Sequence, residues 1–176
     1  MAYDAEKYVE FIKQKHDGQK RIQGTEYYLH PLEVANILKE KGLNETYQIV
    51  GLFHDLLEDT NTTYEEILEI SNRNIADAVV LLTKEPNYIM DEYIKKIKEN
   101  EIAKMVKLAD RLHNLSEAHF ASKNFIEKYI NETKKWYIDM AKDTVFEKDV
   151  NRELTGLVNY FLRIKMIIRV KNIVII

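Results

Sequence analysis

The chain has no cysteine, so neither a disulfide nor a thiolate metal site is available to it. That suits a reducing compartment. Only two prolines and five glycines occur in 176 residues, and turn clusters are sparse, which leaves few places where regular structure must stop. No apolar run approaches the roughly 20 residues of a membrane-spanning helix, and the start, Met1-Ala2-Tyr3-Asp4-Ala5-Glu6, lacks the basic and apolar regions of a secretory signal. These absences lead us to expect a soluble cytoplasmic protein that engages no membrane. A net charge of −3 argues against general nucleic-acid binding, so any anionic substrate must be met by local positive charge.

What is present is hydrophobic content of 45% arranged with helical periodicity, enough for one well-buried domain and short for two. The expected class is all-α, a bundle of eight or nine helices. The pattern predicts helices over about residues 4–16, 31–42, 48–57, 63–70, 74–83, 88–98, 101–118, 124–142 and 148–164. Pro31 suits the first turn of the second, and Gly42 its left-handed end. Between the first two helices, Gly18 and Gly24 bracket a basic loop with Lys20 and Arg21. We expect the domain to span residues 1–164. Residues 165–176 turn basic and β-branched and are expected to pack on that domain or on a second copy of the chain, which would make it a homo-oligomer.

The stretch His54-Asp55-Leu56-Leu57-Glu58-Asp59-Thr60 conflicts with its surroundings. Ile49, Val50, Leu52, Phe53, Leu56 and Leu57 cover most of a helix circumference, the pattern of a helix packed on several sides. Ionisable groups there cost several kcal/mol each, on the order given for buried charge, unless paired or coordinated. A metal is the simplest compensation; a solvated charge cluster at a helix end is the plainer alternative. On one continuous helix, His54 would stack with Glu58 and Asp55 with Asp59. One pair could then hold a cation while the other faced what the cation binds.

A site of this kind needs ligands from other helices. His30 stands immediately before Pro31. Asp110 lies in Met105-Val106-Lys107-Leu108-Ala109-Asp110-Arg111-Leu112-His113-Asn114, where Lys107, Asp110 and Asn114 share one polar helix face. Two imidazoles and two carboxylates form a mixed nitrogen and oxygen site that suits Mn²⁺, Fe²⁺ or Zn²⁺. Open coordination positions would mark it as catalytic.

At these residues the chain resembles the HD-domain metal-dependent phosphohydrolases, with their H…HD…D signature, and most closely the hydrolase domain of the RelA/SpoT family and its single-domain small alarmone hydrolases. The resemblance runs from about Tyr8 to Leu162 and rests on Arg21 ahead of Tyr28-Leu29-His30-Pro31, on the His54–Thr60 stretch and on Lys107–Asn114. It implies Mn²⁺ held by His30, His54, Asp55 and Asp110, with Glu58 and Asp59 as the catalytic pair. Arg21 and Asn114 would contact the nucleotide. From the residues themselves, Lys20 and Lys107 are candidates to add charge there, and Tyr137 and Trp136 either flank the base or, as is commoner on an amphipathic helix, pack in the core. The implied reaction removes the 3′-pyrophosphate of guanosine tetra- or pentaphosphate (ppGpp, pppGpp), giving GDP or GTP and pyrophosphate in the stringent response. A bare His-Asp pair says little; this longer spacing is specific.

Departures from the family pattern fall around the nucleotide, at Ile22, Gln23, Glu26 and Ser116, not at the metal. Two other readings therefore stay open. One is hydrolysis of a different nucleotide, such as an adenosine alarmone or NADPH, and the other is a non-catalytic nucleotide-binding module. An intact Glu58-Asp59 pair speaks against the second.

Overall fold

In a computed structural model, the backbone is described for residues 5–173 and the side chains for residues 6–166. The expected all-α class holds: the described residues form helices and turns, and their only bridge of β type is an isolated antiparallel pairing of Lys20 with Glu26. In order the helices are α1 (Ala5–Lys15), α2 (Leu29–Glu40), α3 (Glu45–Phe53), α4 (Leu56–Asp59), α5 (Tyr64–Ile70), α6 (Arg73–Leu82), α7 (Met90–Glu99), α8 (Glu101–Glu117), α9 (Lys123–Glu132), α10 (Ile138–Ala141) and α11 (Glu147–Ile173). They fall into two compact units, residues 1–110 and 111–176, with α8 running across the boundary.

The first unit is built on α2 and α3, which pack along one another. Val34, Ala35 and Leu38 of α2 and Val50, Leu52 and Phe53 of α3 are buried. Gly51 lets the two backbones approach: a Cβ there would stand 2.7 Å from Leu38 Cδ1 and 3.4 Å from the Ala35 Cα. Gly42 follows α2 at φ 75°, the left-handed conformation in which its N–H donates to Lys39 O and the next amide to Leu38 O. Phe53 takes the edges of Tyr8 and Phe11 from α1. A capping box opens α5, where Thr63 and Glu66 satisfy each other's backbone amides, and Glu66 also receives Lys15 at 2.6 Å.

In the second unit, α11 packs along α9 and α10. Val150, Leu154, Leu157 and Phe161 are its buried positions, and Phe146 is buried just before its first turn. The helix expected to end near residue 164 continues to Ile173, since nothing in Arg163-Ile164-Lys165-Met166 breaks the ladder. The packing proposed for residues 165–176 falls almost wholly outside the residues whose side chains are described.

Two of the expected helices are interrupted. The run predicted over 124–142 contains a π-helical turn, Thr133–Tyr137, between α9 and α10. Thr133 Oγ1 donates to Tyr129 O, and the Ile138 amide reaches back to Thr133 O, one residue further than in an α-helix. The run predicted over 48–57 ends at Phe53 and restarts at Leu56, so His54 and Asp55 are not inside one continuous helix. The cause is local. His54 Nδ1 donates to Gly51 O at 2.8 Å, taking the carbonyl that the Asp55 amide would have used.

Candidate metal centre and active site

The break at His54 aims two consecutive side chains at one point. Asp55 has φ −100° and ψ −5°, and α4 begins immediately after it. His30, on the first turn of α2, faces the same point with its ring 5.2 Å from that of His54. Asp110, from α8, completes the group: one ligand atom each from His30, His54 and Asp110 falls within 4.8 Å of the others. The Asp55 carboxylate reaches both imidazoles, 3.6 Å from His30 Nε2 and 3.2 Å from His54 Nε2, while Asp110 Oδ1 stands 3.2 and 3.7 Å from the same two nitrogens. The structure thus brings together all four residues expected to hold a cation. Both imidazoles are 2% exposed.

The chemistry of this cluster fits a cation. With the Nδ1 hydrogen of His54 committed to Gly51 O, Nε2 faces the carboxylates; it is buried and makes no hydrogen bond of acceptable geometry. A nitrogen in that position needs a proton or a metal between itself and the oxygens. Burial opposes charge on the ring, but Asp55 and Asp110 outweigh it, and the imidazole pKa is pushed up to about 10. Burial likewise opposes ionisation of Asp110, yet Lys107 and the two histidines hold its carboxyl well below the usual range. Asp55 is lowered too, with His54 and His30 overriding burial. A metal entering here would displace protons, as ligation by imidazole requires.

Lys107 behaves differently from the sequence expectation that it meets substrate. It is 6% exposed, and its ammonium donates to Asp110 Oδ2 at 2.9 Å, one helical turn away. It turns the other oxygen of Asp110 toward the histidines and neutralises charge behind the cluster.

Glu58 and Asp59 lie at the solvent edge and point to different partners. Glu58 accepts from the Lys84 amide at 3.1 Å and from its ammonium at 3.0 Å. Lys84, just beyond α6, was not anticipated, because no local pattern links it to a residue 26 positions earlier. Asp59 Oδ2 accepts from the Tyr27 hydroxyl at 2.7 Å, and the same hydroxyl lies 2.8 Å from Asp55 Oδ2. Asp59 keeps its predicted stacking on Asp55, its backbone N–H donating to Asp55 O at 2.8 Å. Burial, and then the charges of Asp55 and Glu58, raise the Asp59 carboxyl above its ordinary value.

The basic loop closes over this edge. Tyr27 N donates to Gln19 O and Arg21 N to Thr25 O, folding residues 19–27 back on themselves around Gly24 at φ 87°. Arg21 is half-buried, with its guanidinium 5.8 Å from the Tyr27 ring centre. Lys20 is exposed and ion-paired with Glu26.

In the second unit, Asn114 is half-buried on α8. Tyr137, expected beside a nucleotide base, is instead fully buried at 0% exposure. Its ring and that of Tyr129 stand 3.9 and 3.8 Å from the Arg111 guanidinium, so it packs that cation and offers no face to a base.

Residues 9–101 match the HD domain family model. A guanosine-3′,5′-bis(diphosphate) 3′-pyrophosphohydrolase of Aquifex aeolicus is 36% identical over 148 residues, 80% of this chain and 21% of that protein. The protein of the same name from Spiroplasma citri is 37% identical over 124 residues, 64% of this chain and 16% of its own length. The chain therefore spans about a fifth or less of the curated relatives it matches. A solved structure described as a metazoan ortholog of SpoT that hydrolyses ppGpp superposes with a TM-score of 0.77 at 22% identity, covering 89% of this chain and 98% of that one. At that identity the likeness is one of fold. Among the described residues no helix is long and apolar enough to cross a membrane.

Proposed function

Because the chain belongs to the HD domain family, which implies a divalent metal, we propose that it removes the 3′-pyrophosphate of ppGpp or pppGpp, yielding GDP or GTP. The observation that carries this reading is the buried group of His30, His54 and Asp110 with the half-buried Asp55 against both imidazoles, and two further carboxylates, Glu58 and Asp59, one helical turn beyond it. The names of the relatives supply the substrate class.

Mn²⁺ is the proposed metal, with Fe²⁺ or Zn²⁺ compatible with the same donors. When bound, it supplies Lewis acidity to water and to a phosphoryl oxygen. The chain's own residues do the rest. Asp59, raised above the usual carboxylate range, takes or returns the proton of the attacking water, a role worth typically about 10²–10⁴-fold. Glu58 holds the Lys84 ammonium at the edge of the site, where it can meet a leaving pyrophosphate. Arg21 supports the phosphates from the basic loop, Arg being suited to bidentate contact. Asn114 is the proposed contact to the nucleoside.

One observation favours a second reading, hydrolysis of another nucleotide. Glu26, a departure from the family pattern, occupies Lys20, so this chain presents less free positive charge beside Arg21. A panel of ppGpp, pppGpp, adenosine alarmones and NADPH with Mn²⁺ separates the two. Pyrophosphate release greatest from the guanosine compounds supports the main reading, and preference for any other nucleotide refutes it.

A further inference from the structure

A phenol has one hydrogen to donate, yet the Tyr27 hydroxyl stands between two carboxylates, 2.8 Å from Asp55 Oδ2 and 2.7 Å from Asp59 Oδ2. The first belongs to the metal-holding group, and the second is the carboxylate assigned to proton transfer. The same Asp55 oxygen is 3.6 Å from His30 Nε2.

The ring that carries this hydroxyl is held from several directions. His16 stacks on it, with centroids 4.8 Å apart and planes inclined by 28°. His16 is in turn 1% exposed, with Nδ1 fixed on Gln19 Oε1 at 2.8 Å. Gln19 then uses its amide to donate to the Asp59 carbonyl, again at 2.8 Å. Burial lowers the pKa of His16, which keeps the stacked ring neutral. Loop and α4 are thereby joined twice, by Gln19 to the Asp59 backbone and by Tyr27 to its side chain. Edge contact with His30 at 6.1 Å completes the setting.

We propose that Tyr27 is a positioning residue whose hydroxyl sets the metal-ligand carboxylate of Asp55 and the catalytic carboxylate of Asp59 against each other, with His16 and Gln19 locking its ring. A ring that only filled space would need no hydroxyl at this point. Two carboxylates side by side repel, and a donor shared between them offsets that repulsion while defining which oxygen of Asp55 remains free for a cation. This inference rests on the proposed hydrolase reading for the role of Asp59, and not for that of Asp55.

Tyr27→Phe, Asp59→Asn and the double variant of the full chain test it. Tyr27→Phe keeps the ring and its stacking, so in chelator it should still unfold cooperatively, at a melting temperature lowered only by the loss of the shared donor. Mn²⁺ binding, measured by calorimetry without nucleotide, should weaken by about 10-fold or more, as for other groups that orient metal ligands. With saturating Mn²⁺, kcat for ppGpp should fall by about 10–100-fold while KM stays within about threefold. With Mn²⁺ saturating, the Asp55 contact no longer limits metal loading and the hydroxyl acts on turnover through Asp59, so turnover in the double variant should be hardly lower than in Asp59→Asn alone. An unchanged Mn²⁺ affinity, losses that multiply in the double variant, or a collapsed melt in chelator would overturn the proposal. A parent chain that leaves ppGpp intact counts against the substrate assignment alone, since the Mn²⁺ measurement contains no nucleotide and decides the Asp55 contact by itself.

Discussion

Replacing Gly51 by alanine should damage the metal centre although Gly51 is not one of its ligands. The added Cβ would lie 2.7 Å from Leu38 Cδ1 and 3.4 Å from the Ala35 backbone. Leu38 is completely buried, so its methyl cannot swing aside without displacing other core side chains. Overpacking of this sort costs about 1–3 kcal/mol. Alanine offsets part of that by its helix propensity, roughly 0.8–1.0 kcal/mol over glycine. A net loss of about 1 kcal/mol remains, or about 2–4 °C in melting temperature for a chain of this length. The functional consequence follows from what the two helices carry. Spreading α2 from α3 moves His30 away from His54, and it disturbs the Gly51 carbonyl on which the His54 ring is oriented. Mn²⁺ affinity should drop by about 10-fold or more. Melting curves in chelator and calorimetric Mn²⁺ titration read the two effects separately. A higher melting temperature with unchanged Mn²⁺ affinity would show that helix propensity dominates and that the close approach of α2 and α3 does not set the site.

Three further outcomes are expected. Asp110→Ala should retain no Mn²⁺ by elemental analysis and lose activity with it, and chelation of the parent chain should do the same reversibly; full turnover in strong chelator refutes the metal site. Glu58→Gln and Asp59→Asn should each cut turnover by about a hundredfold while metal content stays near that of the parent. Wild-type turnover in both would leave the pair as support for Lys84 and Tyr27 only. Thr63→Ala removes the capping box of α5 and should cost about 1 kcal/mol, seen as a lower melting temperature with kcat unchanged; a loss of kcat there would mean that α5 is coupled to the site.

The sequence by itself determined the helical class and most helix positions, because 3.6-residue periodicity and scarce glycine and proline are local properties. Gly42 at the end of α2 and Thr63 at the start of α5 act through their own neighbours, so their signals are legible in the chain. The gathering of His30, His54, Asp55 and Asp110 was legible for another reason: ionisable groups in apolar runs have few affordable arrangements, and convergence on a cation is one. Only the tertiary structure decided the rest. The break at His54 depends on one imidazole taking a carbonyl from the helix ladder, a competition that periodicity does not register. Lys107 and Tyr137 sit on faces whose surroundings come from other elements, which turned one toward Asp110 and buried the other against Arg111. Lys84 and Tyr27 meet Glu58 and Asp59 across 26 and 32 positions of chain. Such contacts arise when whole helices pack, and no pattern within a short window of sequence encodes which side chains they bring face to face.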